Sequence, residues 1–122
     1  MNTVLLVEDS LTERETLTRY LQAASLVVVS VNSVEEAREK LSQKKPNLIV
    51  LDVILPGQSG FELCRDLKNH PDTKSIPIII CSSKGTTVDK TWGTMLGADA
   101  YITKPASEQE LLNTVRQLLR IA

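Results

Sequence analysis

Five side chains of this sequence stand where apolar runs end. Glu8 and Asp9 follow residues 3–7, Asp52 follows residues 47–51, Ser82 follows a run that ends at Cys81, and Lys104 follows residues 100–103. Runs of this kind read as strands buried on both faces, so a polar group at the last position lies at the carboxyl edge of a sheet, where open α/β folds bind ligands. Three carboxylates gathered there repel one another unless protons or a cation neutralise them. An oxygen-only donor set suits Mg2+, which takes oxygen ligands at about 2.1 Å and keeps some of its water. A carboxylate beside such an ion can attack phosphorus to give an acyl phosphate, and the acceleration comes mainly from positioning and from neutralising the phosphoryl oxygens. Asp52 is the expected nucleophile, with Mg2+ and Lys104 supplying the positive charge.

The elements that must position these groups alternate strand and helix five times. Strands are expected over residues 3–7, 27–31, 47–51, 76–81 and 100–103, from apolar runs bounded by turn residues. The first helix follows the capping-box pattern from Ser10 to Glu13 and turns Leu17, Tyr20, Leu21 and Ala24 inward. The second begins near Ser33 with Val34, Ala37 and Leu41 inward, and the third covers residues 59–69 with Phe61, Cys64 and Leu67 inward. A fourth covers residues 86–96 and stops at Gly97; the last opens at Ser107 to Glu110 and carries Leu111, Leu112, Val115, Leu118 and Leu119. Strict alternation with short connections and right-handed crossovers implies a doubly wound α/β sandwich around a parallel five-stranded sheet; the flavodoxin-like order 2-1-3-4-5 is expected. The topological switch point then lies between strands one and three, which carry Glu8, Asp9 and Asp52.

A chain of 122 residues suits one domain over residues 1–122, with no output domain expected. The formal net charge of −1, without any Lys/Arg block, gives no electrostatic case for a nucleic-acid partner. Apolar stretches fall far short of a membrane span and Met1 leads directly into a strand, so no membrane partner and a cytoplasmic location are expected. Cys64 and Cys81 lack metal-ligand or redox spacing and read as buried, reduced thiols.

Glu8 with Asp9, Asp52 with Pro56 and Gly57, Ser82, and Lys104 with Pro105 together resemble the CheY-like receiver domain of two-component response regulators, over essentially the whole chain. The resemblance implies that Asp52 accepts phosphate from a histidine kinase or phosphotransfer domain. It further implies that Glu8, Asp9 and Asp52 hold Mg2+ with the Ile54 backbone carbonyl, and that Ser82 and Lys104 bind the phosphoryl oxygens. Ser82 and Tyr101 match the switch positions, and a downstream protein target is expected on the face of helix four, strand five and helix five. Such a protein is a phospho-acceptor switch catalysing only its own phosphorylation and dephosphorylation, not an enzyme acting on other substrates. Ser83 with Lys84, and the segment from Trp92 through Gly97 to Tyr101, are similar to single-domain receivers of pilus-motility and phototaxis pathways, cyanobacterial ones in particular. Three positions depart from the family's common pattern: Glu8 for Asp, Ser82 for Thr, and Ala24-Ser25 where a turn often carries Gly. The first two keep the needed carboxylate and hydroxyl.

Taken singly, these residues have plainer explanations. Asp9 or Ser10 can be a helix cap, Asp52 a turn former, and Lys104 a solvated charge at a strand end; their joint register speaks against that. Trp92 shares a helical stripe with Val88 and Leu96 and is expected at the core's edge, while His70 beside Pro71 reads as a solvated loop histidine. An aspartyl-phosphate phosphatase would carry a second acid where Ile54 stands. A flavin carrier on this topology would not place three acids at its phosphate edge. A receiver-like docking module without phosphorylation would typically have lost an acid or the Lys.

Overall fold

The computed structural model describes residues 1–121. Five strands, β1 (Thr3–Val7), β2 (Val27–Val31), β3 (Leu48–Leu51), β4 (Ile78–Ser82) and β5 (Ala100–Thr103), pair in parallel in the order β2-β1-β3-β4-β5. Five helices alternate with them: α1 (Leu11–Ala23), α2 (Val34–Gln43), α3 (Gly60–Lys68), α4 (Thr87–Met95) and α5 (Glu108–Leu119). The expected flavodoxin-like fold is therefore the one formed.

The sheet separates two apolar layers, and period-2 alternation along each strand supplies both. On one side Leu5, Val7, Ile49, Leu51, Ile78 and Ile80 pack against Val34, Ala37 and Leu41 of α2 and Phe61, Leu63, Cys64 and Leu67 of α3. On the other, Val4, Leu6, Leu48, Val50, Ile79 and Cys81 meet Leu17 and Leu21 of α1 and Leu111, Leu112 and Val115 of α5. All residues of β3 and β4 are buried, as central parallel strands must be, whereas the edge strand β2 buries only Val31.

The fourth strand starts later than its apolar run and ends later. Pro77 has no N–H to give a neighbour, so pairing opens at Ile78, whose N–H goes to Asp99 Oδ2 at 2.8 Å. At the other end Ser82 stays in the ladder because the Lys104 N–H donates to its carbonyl at 2.9 Å. Helix ends follow the hydroxyl caps: Ser10, Ser33, Ser59, Thr86 and Ser107 each accept a backbone N–H of the first turn. Where the family's common pattern has Gly, Ser25 takes the left-handed conformation at φ 63° after α1.

Candidate functional site

Ladder hydrogen bonds that run one residue past the strands fix the site. The Glu8 N–H donates to the Val31 carbonyl at 3.0 Å, the Asp52 N–H to the Val7 carbonyl at 3.0 Å, and the Lys104 N–H to the Ser82 carbonyl at 2.9 Å. Glu8, Asp52, Ser82 and Lys104 thus hang from one sheet edge on backbone that cannot shift independently. Close approach of α3 completes the floor: a Cβ on Gly60 would lie 2.2 Å from the Asp52 carbonyl oxygen and 2.7 Å from Val53 Cα, so only glycine fits there.

At the centre stands Lys104. Its Nζ contacts Glu8 Oε1, lies 2.6 Å from Glu13 Oε2 and lies 2.8 Å from Asp52 Oδ2. Glu8 is 1% and Asp52 6% exposed, while the Glu13 side chain, at 45%, faces solvent. Burial disfavours the Lys104 charge, but hydrogen bonds to Asp52, Glu13 and Glu8 outweigh it and hold the ammonium well above the ordinary lysine range. For Glu8 burial wins: its carboxyl lies above the usual carboxylate range despite the opposing hydrogen bonds from Lys104 and the Ser10 N–H. The second oxygens are engaged as well, Glu8 Oε2 by the Ser10 N–H at 3.1 Å and Asp52 Oδ1 by the Ile54 N–H at 2.9 Å. Ser82, wholly buried, accepts the Lys84 N–H at 3.2 Å and keeps its own hydroxyl proton to donate.

Most of the expected residues converge, with two differences. Asp9 is exposed and lies outside the acidic group; among the described residues, the acids whose oxygens lie within 4.8 Å of one another are Glu8, Glu13 and Asp52. Glu13 was read only as part of a capping box. The Ser10 hydroxyl does accept the Glu13 N–H at 3.4 Å, but the Ser10 N–H is taken by Glu8, which frees the Glu13 carboxylate to reach Lys104. A signal for this lay in the position of α1: a helix starting at the sheet's carboxyl edge aims first-turn side chains at whatever stands there. Three carboxylates facing one ammonium leave an excess of negative charge on oxygen donors, a set that fits a divalent cation such as Mg2+.

Tyr101 lies between this site and α4. Its hydroxyl donates to the Lys84 carbonyl, and its ring packs where a Cβ on Gly93 would come within 2.9 Å of it. Burial, with the negative charges of Asp89 and Asp52 adding to it, pushes the phenol up to about 12. The Lys84 ammonium is 3.4 Å from Asp89 Oδ1, which closes a reciprocal capping box with Thr86 at the start of α4. Trp92 is not at the core's edge: it is 48% exposed and shares an outward apolar stripe with Val88 and Met95, while Leu96 packs inward. A helix gives Val88 and Trp92 one face and lets Leu96, though spaced like them, lie one turn on where the helix has already ended. Cys64 and Cys81 are buried free thiols, pushed up by burial to about 11 and about 12. His70 is an exposed loop residue whose Nδ1 accepts the Asp72 N–H at 3.1 Å.

Comparison with known proteins agrees with this geometry. The family model described as response regulator receiver domain matches residues 4–116. The chain is 35% identical to Protein PilH of Pseudomonas aeruginosa over 119 residues, covering 98% of both. It is 40% identical to the transcriptional regulatory protein GltR of the same organism, but spans only 49% of that protein's length. Among solved structures, the BeF3-activated N-terminal receiver domain of Klebsiella pneumoniae RstA superposes with a TM-score of 0.89 at 31% identity, covering 98% of this chain and 99% of that one.

Proposed function

The chain belongs to the response regulator receiver domain family, whose members are phosphoryl-accepting signalling switches, and from that premise we propose that Asp52 is the phospho-acceptor. The observation that carries the reading is the convergence of buried Asp52, buried Glu8 and Lys104 at one sheet edge. A carboxylate oxygen of Asp52 attacks the phosphorus of a histidine kinase or phosphotransfer phosphohistidine. The O–P bond forms as the P–N bond breaks, and the electron pair leaves on the imidazole, which takes up a proton. Lys104, beside the buried Asp52, stabilises charge on the phosphoryl oxygens. Glu8, Asp9, Asp52 and the Ile54 carbonyl are the groups that would hold Mg2+, which when bound supplies further neutralisation of the same oxygens.

The signal is proposed to leave through Ser82 and Tyr101. A phosphoryl oxygen offers the Ser82 hydroxyl proton a charged acceptor, and the turn of the hydroxyl towards it pulls on the Lys84 N–H that the same oxygen accepts. Movement of the β4–α4 loop then changes the Lys84 carbonyl that Tyr101 holds, and with it the seat of α4 on the Tyr101 ring. The face of α4, β5 and α5, with Val88, Trp92 and Met95 exposed on it, is the proposed docking surface for a downstream protein, and the cytoplasm the proposed place of action. No helix of the described residues is long and apolar enough to cross a membrane. The test is the Trp92 emission spectrum on adding beryllofluoride with Mg2+. It is expected to shift in the parent, and Ser82→Ala is expected to bind the same mimic yet lose most of the shift; a full shift in Ser82→Ala would remove the hydroxyl from the coupling route.

A further inference from the structure

Glu13 is the one acid of the central cluster to which the proposed mechanism gives no task. Lys104 has three N–H donors, and Glu8, Glu13 and Asp52 take all of them, so nothing new can be bound by Lys104 until one carboxylate lets go. Releasing Glu8 or Asp52 would leave a charge stranded at 1% or 6% exposure. Releasing Glu13 returns a half-exposed carboxylate to water, where an ion pair is worth little. Glu13 and Lys104 also line a groove together with Thr16, Tyr20 and Ala106.

On the reading that Asp52 accepts the phosphoryl group, we propose that Glu13 is a positioning residue that holds Lys104 in the unphosphorylated protein and competes with the incoming phosphoryl group for one of its N–H donors. It holds the ammonium over Asp52 at rest, and its release is the cost of engaging the anion. Glu13 forms no bond to phosphorus.

The probe is beryllofluoride with Mg2+, its binding followed by the 19F resonance of the bound anion, in the parent, Glu13→Gln and Glu13→Asp. Glutamine keeps the shape without the charge, and aspartate keeps the charge but is too short to reach Lys104. Both are expected to bind about two- to five-fold more tightly than the parent, the range set by loss of a solvent-exposed ion pair. The Lys104 15Nζ resonance of the metal-free protein should shift in both, with the melting temperature unchanged. Unchanged affinity in both variants would overturn the proposal. So would tightening in Glu13→Gln alone, because repulsion by a charge at the mouth would then be the cause, not the bond to Lys104. Failure of the parent itself to bind beryllofluoride would instead sink the phospho-acceptor reading.

Discussion

Lys104 is the ammonium at the centre of the site, set among three carboxylates, two of them buried. Removing one partner of a buried ion pair strands the others, which typically costs about 3–5 kcal/mol. Lys104→Met is therefore expected to lose stability of about that order at pH 7, measured by urea unfolding. The pH dependence has a definite sign. The folded-state pKa of Glu8 is raised, so its favourable contribution is present below its unfolded value and is lost as pH rises through the raised folded value. Lys104 is also raised, and its contribution persists until strongly alkaline pH. The deficit of Lys104→Met should thus shrink as pH falls through the raised value of Glu8, whose stranded carboxylate then takes up a proton; a deficit that grows on acidification would contradict this. The positions of Asp52, Glu8, Ser82 and Lys104 were legible because each stands at the carboxyl end of a strand and the ladder continues through it. Glu13 was not, because Ser-x-x-Glu has two satisfied solutions, and the choice between them depends on a lysine 91 residues away. Asp9 stays outside the cluster around Lys104 for a related reason: successive residues at a strand end point to opposite sides, so Glu8 is buried against the lysine while Asp9 stays exposed.

Among the elements, α1 ends under strain. Ser25 sits at φ 63°, a left-handed conformation that costs a residue with a Cβ roughly 1–2 kcal/mol and glycine nothing comparable. Ser25→Gly is expected to stabilise the protein by about 0.5–1 kcal/mol, since the unfolded glycine's extra entropy cancels part of the gain. The check is the thermal midpoint, and a fall would show that the Ser25 side chain does something its exposure does not suggest. Helix starts were readable to a residue, because each has a Ser or Thr hydroxyl with an orphan N–H in reach. The face of α4 was not. Its short span buries only Asp89 and Gly93, so its apolar spacing carried little information about which side meets the sheet. Gly93 decided it, by admitting the Tyr101 ring where any side chain would collide.

At the level of the whole molecule, one five-stranded sheet is the shared wall of both apolar layers, and the same strands that fill them end in the site. Neither layer can open without exposing the other's strands, so unfolding should be a single cooperative transition. Far-UV circular dichroism and Trp92 fluorescence are expected to give coincident urea curves; a Trp92 transition at lower urea would mean that α4 opens apart from the sheet. A doubly wound parallel sheet was readable from the alternation, since right-handed crossovers leave few arrangements of five parallel strands, but the alternation does not by itself choose the order 2-1-3-4-5 among them.

Phosphoryl transfer to Asp52 is the claim on which the rest depends, and intact-mass spectrometry after incubation with acetyl phosphate and Mg2+ tests it most directly. The parent is predicted to gain one phosphoryl group and Asp52→Asn none, because the amide keeps the side chain's shape but is a far poorer nucleophile. Omitting Mg2+ should slow the gain in the parent. Full incorporation in Asp52→Asn, or none in the parent, would contradict the account.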